Sequence, residues 1–253
     1  MKKLLIRIGV IAAVLLVVTV TVSAYSLGNA VKKGIETGGS KVAQVEVRLD
    51  KAEVWLILGK ARIKDLVVGN PAGWKSKVAV QVDDITVRVI PTSVFASKPI
   101  IDSIVIKSPD ITFEGSLKNN NLSQIRNNVH AYLAGPESST PAPVEAPASP
   151  KASRRFQLNS LLITGAKLHV RNLFSSGENV TLPLPDIHLV NLGAGPNGIT
   201  SPEVAQRTLN AVLDVIAESA SDVVGKLGQD AVSGAKKFNF EKAAERLKSL
   251  FGQ

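Results

Sequence analysis

Between residues 47 and 189 one arrangement recurs six times: apolar, any, apolar, two mostly polar residues, apolar, any, apolar. The copies read Val47, Leu49, Ala52, Val54; Ala61, Ile63, Leu66, Val68; Val80, Val82, Ile85, Val87; Pro99, Ile101, Ile104, Ile106; Phe156, Leu158, Leu161, Ile163; and Leu182, Leu184, Ile187, Leu189. Their central pairs are Asp50-Lys51, Lys64-Asp65, Asp83-Asp84, Asp102-Ser103, Asn159-Ser160 and Pro185-Asp186. Alternation at period two is the mark of a half-buried strand. One extra residue would throw the second half of each strand onto the wrong face, and a β-bulge absorbs that residue. Six such devices predict a curved antiparallel sheet, groove-like, with bulged strands and one apolar face. The same spacing also suits tight turns between short strands.

Period 3.6 replaces period two at both ends. Residues 26–40 read as a polar juxtamembrane helix, broken at Gly38-Gly39. Ser201-Pro202-Glu203 carries helix-start chemistry, with a cap, a proline in the first turn and an acid. Val204, Thr208, Val212, Ile216, Ala220 and Val223 then share one helical face, and Gly225 and Gly228 end it. A second amphipathic helix is expected from Phe238 to Phe251. Residues 135–153, with five prolines among Ala, Ser and Glu, read as a disordered linker. Sheet pattern resumes at Arg155. The linker therefore separates a first part of one β domain, 41–134, from a second part, 154–195, with C-terminal helices over 201–253. The fold class expected is mainly β with α.

Residues 1–25 change the setting. Lys2, Lys3 and Arg7 precede an apolar run from Ile8 to Ala24, close to the roughly 20 residues of a spanning helix. The charge asymmetry predicts a short cytoplasmic stub, a single-pass anchor, and the rest of the chain outside the cytoplasm. Val22-Ser23-Ala24 would suit a signal peptidase, the rival reading, but the apolar run is longer than a usual signal core. Both readings export the domain.

Composition then narrows the chemistry. The 253 residues contain no cysteine, which removes disulfides, thiol nucleophiles and Cys-based metal sites. Of the net charge of +9, three positive charges belong to the topology signal. The rest is spread without a block, which suits anionic lipid headgroups, or a plain solvated surface, better than nucleic acid. His130, His169 and His188 have no ligand-type partners at helical spacing, although His169 and His188 are candidates to meet in space. Gly69 to Ser76 is one residue short of a phosphate loop and places Trp74 before Lys75. Asp83 and Asp84 are adjacent in a strand and face opposite sides, so they are not an acid/base pair. No catalytic motif remains, and a non-enzyme without cofactor is the expectation.

Several segments resemble AsmA-like proteins. They are Val31 to Glu36, Val45 to Val54, and Gly59 to Trp74 with its Asn70-Pro71-Ala72-Gly73-Trp74 ending. Ile101 to Pro109, Leu158 to Gly165 and Leu184 to Leu189 are similar to later repeats of that family. The resemblance implies an inner-membrane anchor, a curved β structure in the periplasm and work in envelope biogenesis, with larger members linked to phospholipid movement. Eight to ten strands at about 4.8 Å would give a groove of roughly 40–50 Å. The candidate lipid-facing residues are Ile63, Val68, Val82, Val87, Ile106 and Leu161, with phospholipid as their ligand. The alternative is a scaffold that binds another envelope protein at an open sheet edge. The helix from Pro202 to Val224 is the other candidate cover for the apolar face.

Overall fold

The structure, a computed structural model, describes residues 26–116, 119–135, 154–171 and 180–232. The expected membrane helix, nearly all of the Pro-rich stretch and the helix expected from Phe238 lie outside them. No helix among the described residues is long and apolar enough to cross a membrane.

Among the described residues ten strands form a single sheet, and three α-helices join it. The strands are β1 (Val47–Arg48), β2 (Lys51–Trp55), β3 (Lys60–Gly69), β4 (Val78–Val89), β5 (Ile100–Lys107), β6 (Asp110–Glu114), β7 (Gln157–Thr164), β8 (Lys167–Arg171), β9 (Val180–Pro183) and β10 (Ile187–Leu192). The helices are α1 (26–43), α2 (Asn121–Ala134) and α3 (Ser201–Val232). Strands from both sides of the Pro-rich stretch pair directly, β5 with β7 and β6 with β8.

Ten strands do not make ten positions across the sheet. β1 and β2 both pair with β3, and β5 and β6 both pair with β4. β7 and β8 follow end to end, as do β10 and β9. The sheet is therefore six ribbons wide, in the order β1/β2, β3, β4, β5/β6, β7/β8, β9/β10. At about 4.8 Å per step this spans roughly 24 Å, about half the width expected from counting strands.

The breaks inside the ribbons are aligned. The pairing registers place Asp50 opposite Asp65, Asp83, Ser108, Gly165 and Pro185 in turn. Registers are the same on both sides of this line, because each ribbon carries one extra residue at the same level. Asp65, Ser108 and Gly165 have positive φ (51°, 47° and 64°). Asp tolerates the left-handed region better than most residues, and Gly adopts it freely. The interrupted pattern in the sequence thus corresponds to one line crossing the whole sheet.

Two of the six copies interrupt elsewhere. β4 to β5 pairing jumps from Arg88↔Ser103 to Val89↔Ile101, leaving Asp102 as a bulge. Asn159 lies level with it, and so does Asn191 at φ 54°. These residues form a second, shorter line. A further register shift between Val68 and Gly69 leaves Ala79 extra on β4.

The sheet is mixed, not antiparallel throughout. The β5–β7 and β6–β8 pairs are parallel, and parallel neighbours need a long crossover. The chain between Glu114 and Gln157 supplies one, and it contains α2, a helix not expected from the pattern. Asn120 caps α2 by accepting a hydrogen bond from Ser123 N–H at 2.7 Å. Leu122, Ile125 and Val129 are buried on one helical face.

Two glycine pairs do not act as expected. α1 continues through Gly38-Gly39 to residue 43, and α3 continues through Gly225 and Gly228 to Val232. At position 39 a Cβ would already sit 3.2 Å from Val47 Cγ1, so the glycine permits close packing of α1 on β1. At α3 the cap is Thr200 and not Ser201. The Glu203 carboxylate accepts from Thr200 N–H at 2.6 Å, and Glu203 N–H points back to Thr200 Oγ1 at 3.4 Å, a capping box.

The main core lies between the apolar face and the helices. Leu158, Leu161, Ile163, Ile187 and Leu192 of the sheet are buried in one cluster with Val204, Val212 and Ile216 of α3 and Leu122 and Ile125 of α2. α3 packs on α2 and on β10.

Candidate functional site

The apolar face is built from rows of residues in register. One row runs Val54, Ala61, Val87, Ile104, Leu161, Leu189. The next runs Ala52, Ile63, Ile85, Ile106, Ile163, Ile187. Beyond the aligned extra residues lies a third complete row, Val47, Val68, Val80, Ile111, Leu168, Leu182, with Leu66 opposite Val82 between. Each row is apolar across all six ribbons. Without the extra residue, the third row would fall on the opposite face.

All six residues singled out from the sequence belong to this surface, but their environments differ. Leu161 and Val82 are each only 3% exposed, so solvent does not reach them. Val68 and Ile106 are half-buried against the helix-covered core. Ile63 and Val87 are half-buried and stand outside that cluster, as do Val54 and Ala61. Within the β2–β4 portion of the apolar face, half-buried Val54, Ala61, Ile63 and Val87 alternate with buried Ala52, Val82 and Ile85.

Two helices flank that portion. α3 lies over the far side at β10. On the near side α1 runs antiparallel to β1 and β2. A Cβ at Gly28 would lie 2.3 Å from Ala52 O, so the helix and strand are in direct contact there. Further along, Lys32 Nζ donates to Asp50 O at 2.7 Å and Leu49 N–H donates to Glu36 at 3.1 Å. Val47 N–H donates to Ser40 Oγ at 2.8 Å. Side chains of α1 thus satisfy backbone groups of the outermost ribbon, which would otherwise be an open edge.

The opposite face is polar over β2–β4. Asp84 forms ion pairs with Arg62 and with Lys64, the latter at 2.8 Å. Burial opposes its ionisation, but the hydrogen bonds from Lys64 and Arg62 prevail and hold its carboxyl below the ordinary value. Asp83 is exposed.

The histidines stay apart. His169 joins Thr181 Oγ1 at 2.9 Å and Asp110 Oδ1 at 2.8 Å, while His188 contacts Ser160 Oγ at 3.0 Å. A hydroxyl, an imidazole and a carboxylate in line resemble a catalytic triad. Here they are cross-strand neighbours on β6, β8 and β9. No group of three or more His, Asp or Glu among the described residues could hold a metal ion.

No family model, curated protein or solved structure matches this chain.

A buried polar network was not visible in the sequence. Glu114, 5% exposed, accepts from Lys75 N–H at 2.9 Å and Ser76 N–H at 3.0 Å. Asn121, fully buried, accepts from Glu114 N–H and donates to Asn70 Oδ1 and Thr112 O. Burial would raise the Glu114 carboxyl, yet the Ser76 and Lys75 backbone donors outweigh it and hold the group below its ordinary value. The turn that resembled a phosphate loop is thus occupied by a carboxylate of its own chain. The Lys75 and Ser76 backbone donors fix it to β6, and the Asn70 and Trp74 side chains tie it to α2.

Proposed function

We propose that this chain is an AsmA-like envelope protein: anchored in the inner membrane by residues 1–25, facing the periplasm, and accepting phospholipid acyl chains on the apolar sheet face. The observation that carries the reading is the half-buried stretch Val54, Ala61, Ile63 and Val87, which continues rows closed elsewhere by α3. Apolar rows that run without interruption from a closed core to a partly open one are suited to an apolar chain. Each methylene buried there contributes about 0.8 kcal/mol. The groove so formed is short, on the order of 24 Å across the sheet, so a single copy holds lipid and does not bridge two membranes.

A scaffold role is the second reading. β9/β10 is the last ribbon of the sheet, and Val190 on it is 51% exposed. A strand from another envelope protein would extend the sheet there.

Native mass spectrometry of the full chain in mild detergent separates the two. Bound phospholipid that is lost in Val87→Glu, with the thermal transition kept within a few degrees, is the expected result. Absence of lipid from the wild type, together with unfolding of Val87→Glu, would leave the scaffold and sink the carrier.

A further inference from the structure

We propose that the tip formed by the β2–β3 turn and the β4–β5 connection is a membrane-contact surface, which seats in the interfacial layer of an anionic bilayer. Among the described residues, the large apolar side chains most open to solvent gather here. Leu56, Ile57 and Leu58 are 56%, 86% and 72% exposed, Trp55 is 41% exposed, and Phe95 on the neighbouring connection is 91% exposed. Large apolar side chains left exposed at one end of a sheet mark an interaction site.

The two segments are joined and braced. Val89 N–H donates to Gly59 O at 2.7 Å. Gly59 has φ 57°, and a Cβ there would come within 2.9 Å of Pro91 Cγ. The turn is closed by Leu58 N–H to Trp55 O and Gly59 N–H to Leu56 O, both 3.1 Å. Ser93 Oγ donates to Ile90 O at 2.7 Å and accepts from Ile100 N–H at 2.9 Å, which locks the base of the second segment. Rigid turns thus present these side chains outward.

Charge selects the partner. Lys60 and Arg88 are exposed and directly opposite one another in register, an arrangement that costs stability unless an anion lies nearby. No Asp or Glu occurs from Val54 to Lys64 or from Ile85 to Ile101. An apolar tip with an aromatic residue and a basic collar matches the headgroup layer of anionic lipids.

The chain itself supplies the orientation. α1 begins at residue 26, and Gly28 rests on Ala52, three residues before Trp55. The apolar run Ile8 to Ala24 therefore joins the domain at the same end of the sheet as the tip. A protein surface as occupant would not account for that coincidence, and a bilayer does.

The test uses the two tryptophans, Trp55 and Trp74. Full-length protein carrying Trp74→Phe is reconstituted into phosphatidylglycerol/phosphatidylcholine vesicles with brominated acyl chains. Loss of most of the Trp55 emission is expected. The reciprocal Trp55→Phe protein, whose Trp74 lies at the opposite end of β3, is expected to keep its emission. Adding Ile57→Asp to the Trp74→Phe protein is expected to restore emission while the protein still co-floats with the vesicles. Unquenched Trp55 in co-floating protein would overturn the proposal. If Trp74→Phe misfolds, the difference in quenching between wild type and Trp55→Phe gives the same reading. The inference shares with the proposed function its membrane anchor, but none of these outcomes depends on lipid in the groove, so failure of the tip and failure of the carrier are distinguishable.

Discussion

Replacing Glu114 by Gln tests whether the 70–77 turn is held by charge. In the wild type two part-buried backbone donors, at 2.9 and 3.0 Å, converge on one carboxylate. Glutamine keeps one acceptor oxygen and turns an NH2 group toward the other donor. One charge-assisted hydrogen bond becomes a donor facing a donor, at a cost of about 2–3 kcal/mol. For a chain of this size, each kcal/mol lowers Tm by about 2–4 °C, so a fall of roughly 4–12 °C is expected at pH 7. The pH dependence has a definite sign. The Glu114 carboxyl is depressed in the folded protein, so its stabilisation is present above the ordinary glutamate range. That stabilisation is lost as pH falls through the folded value. The gap between wild type and Glu114→Gln should therefore narrow below about pH 4. Thermal unfolding by near-ultraviolet circular dichroism, with Trp74 emission as a local probe, measures both effects. A Tm change under about 1 °C, or a gap that stays constant down to pH 3, would refute the reasoning.

Two further substitutions test the helices. Gly28→Ala places a Cβ 2.3 Å from Ala52 O and should separate α1 from β2 at a cost of about 1–3 kcal/mol. Gly38→Ala meets nothing within 4 Å in the same helix and should stabilise by up to about 1 kcal/mol; equal Tm values for the pair would show that α1 does not pack as described. Ile216→Ala in α3, at a site 1% exposed, should cost about 2–5 kcal/mol in chemical denaturation, and a loss under 1 kcal/mol would mean that α3 is not part of the core.

The sheet was legible because its apolar positions follow one period and its interruption recurs. Asp50, Asp65, Asp83 and Pro185 lie in the interrupted pairs read from the sequence, and all lie on the aligned line. Asp102 and Asn159 looked identical to them locally. Only pairing shows that they belong to a second line, because which residue faces which is a non-local property. Parallel pairing was hidden for the same reason. α2 was missed because three consecutive asparagines masked a helix start. Asn120 as cap, Leu122, Ile125 and Val129 at helical spacing, and Gly135 after the end were the available signals. The contact of Glu114 with Lys75 and Ser76 joins residues almost forty positions apart, and no local pattern announces it. Of the candidate surface, the sequence located the face but not which part of it the helices leave half-open.

The aligned extra residues also set how this chain tolerates change. A point substitution at Asp65 or Ser108 alters one crossing of one ribbon and leaves every pairing in place. Deleting the same residue shifts everything beyond it by one position, turning Leu66 and Val68, or Ile111 and Phe113, from the apolar face to the polar one. One deletion cannot be offset within its own ribbon; only matching deletions in all six would restore a common register. Lineages of this fold should therefore vary along the line among residues that tolerate positive φ, while their strand lengths stay locked together. Insertions are accommodated only outside the ribbons, as in the long stretch between α2 and β7.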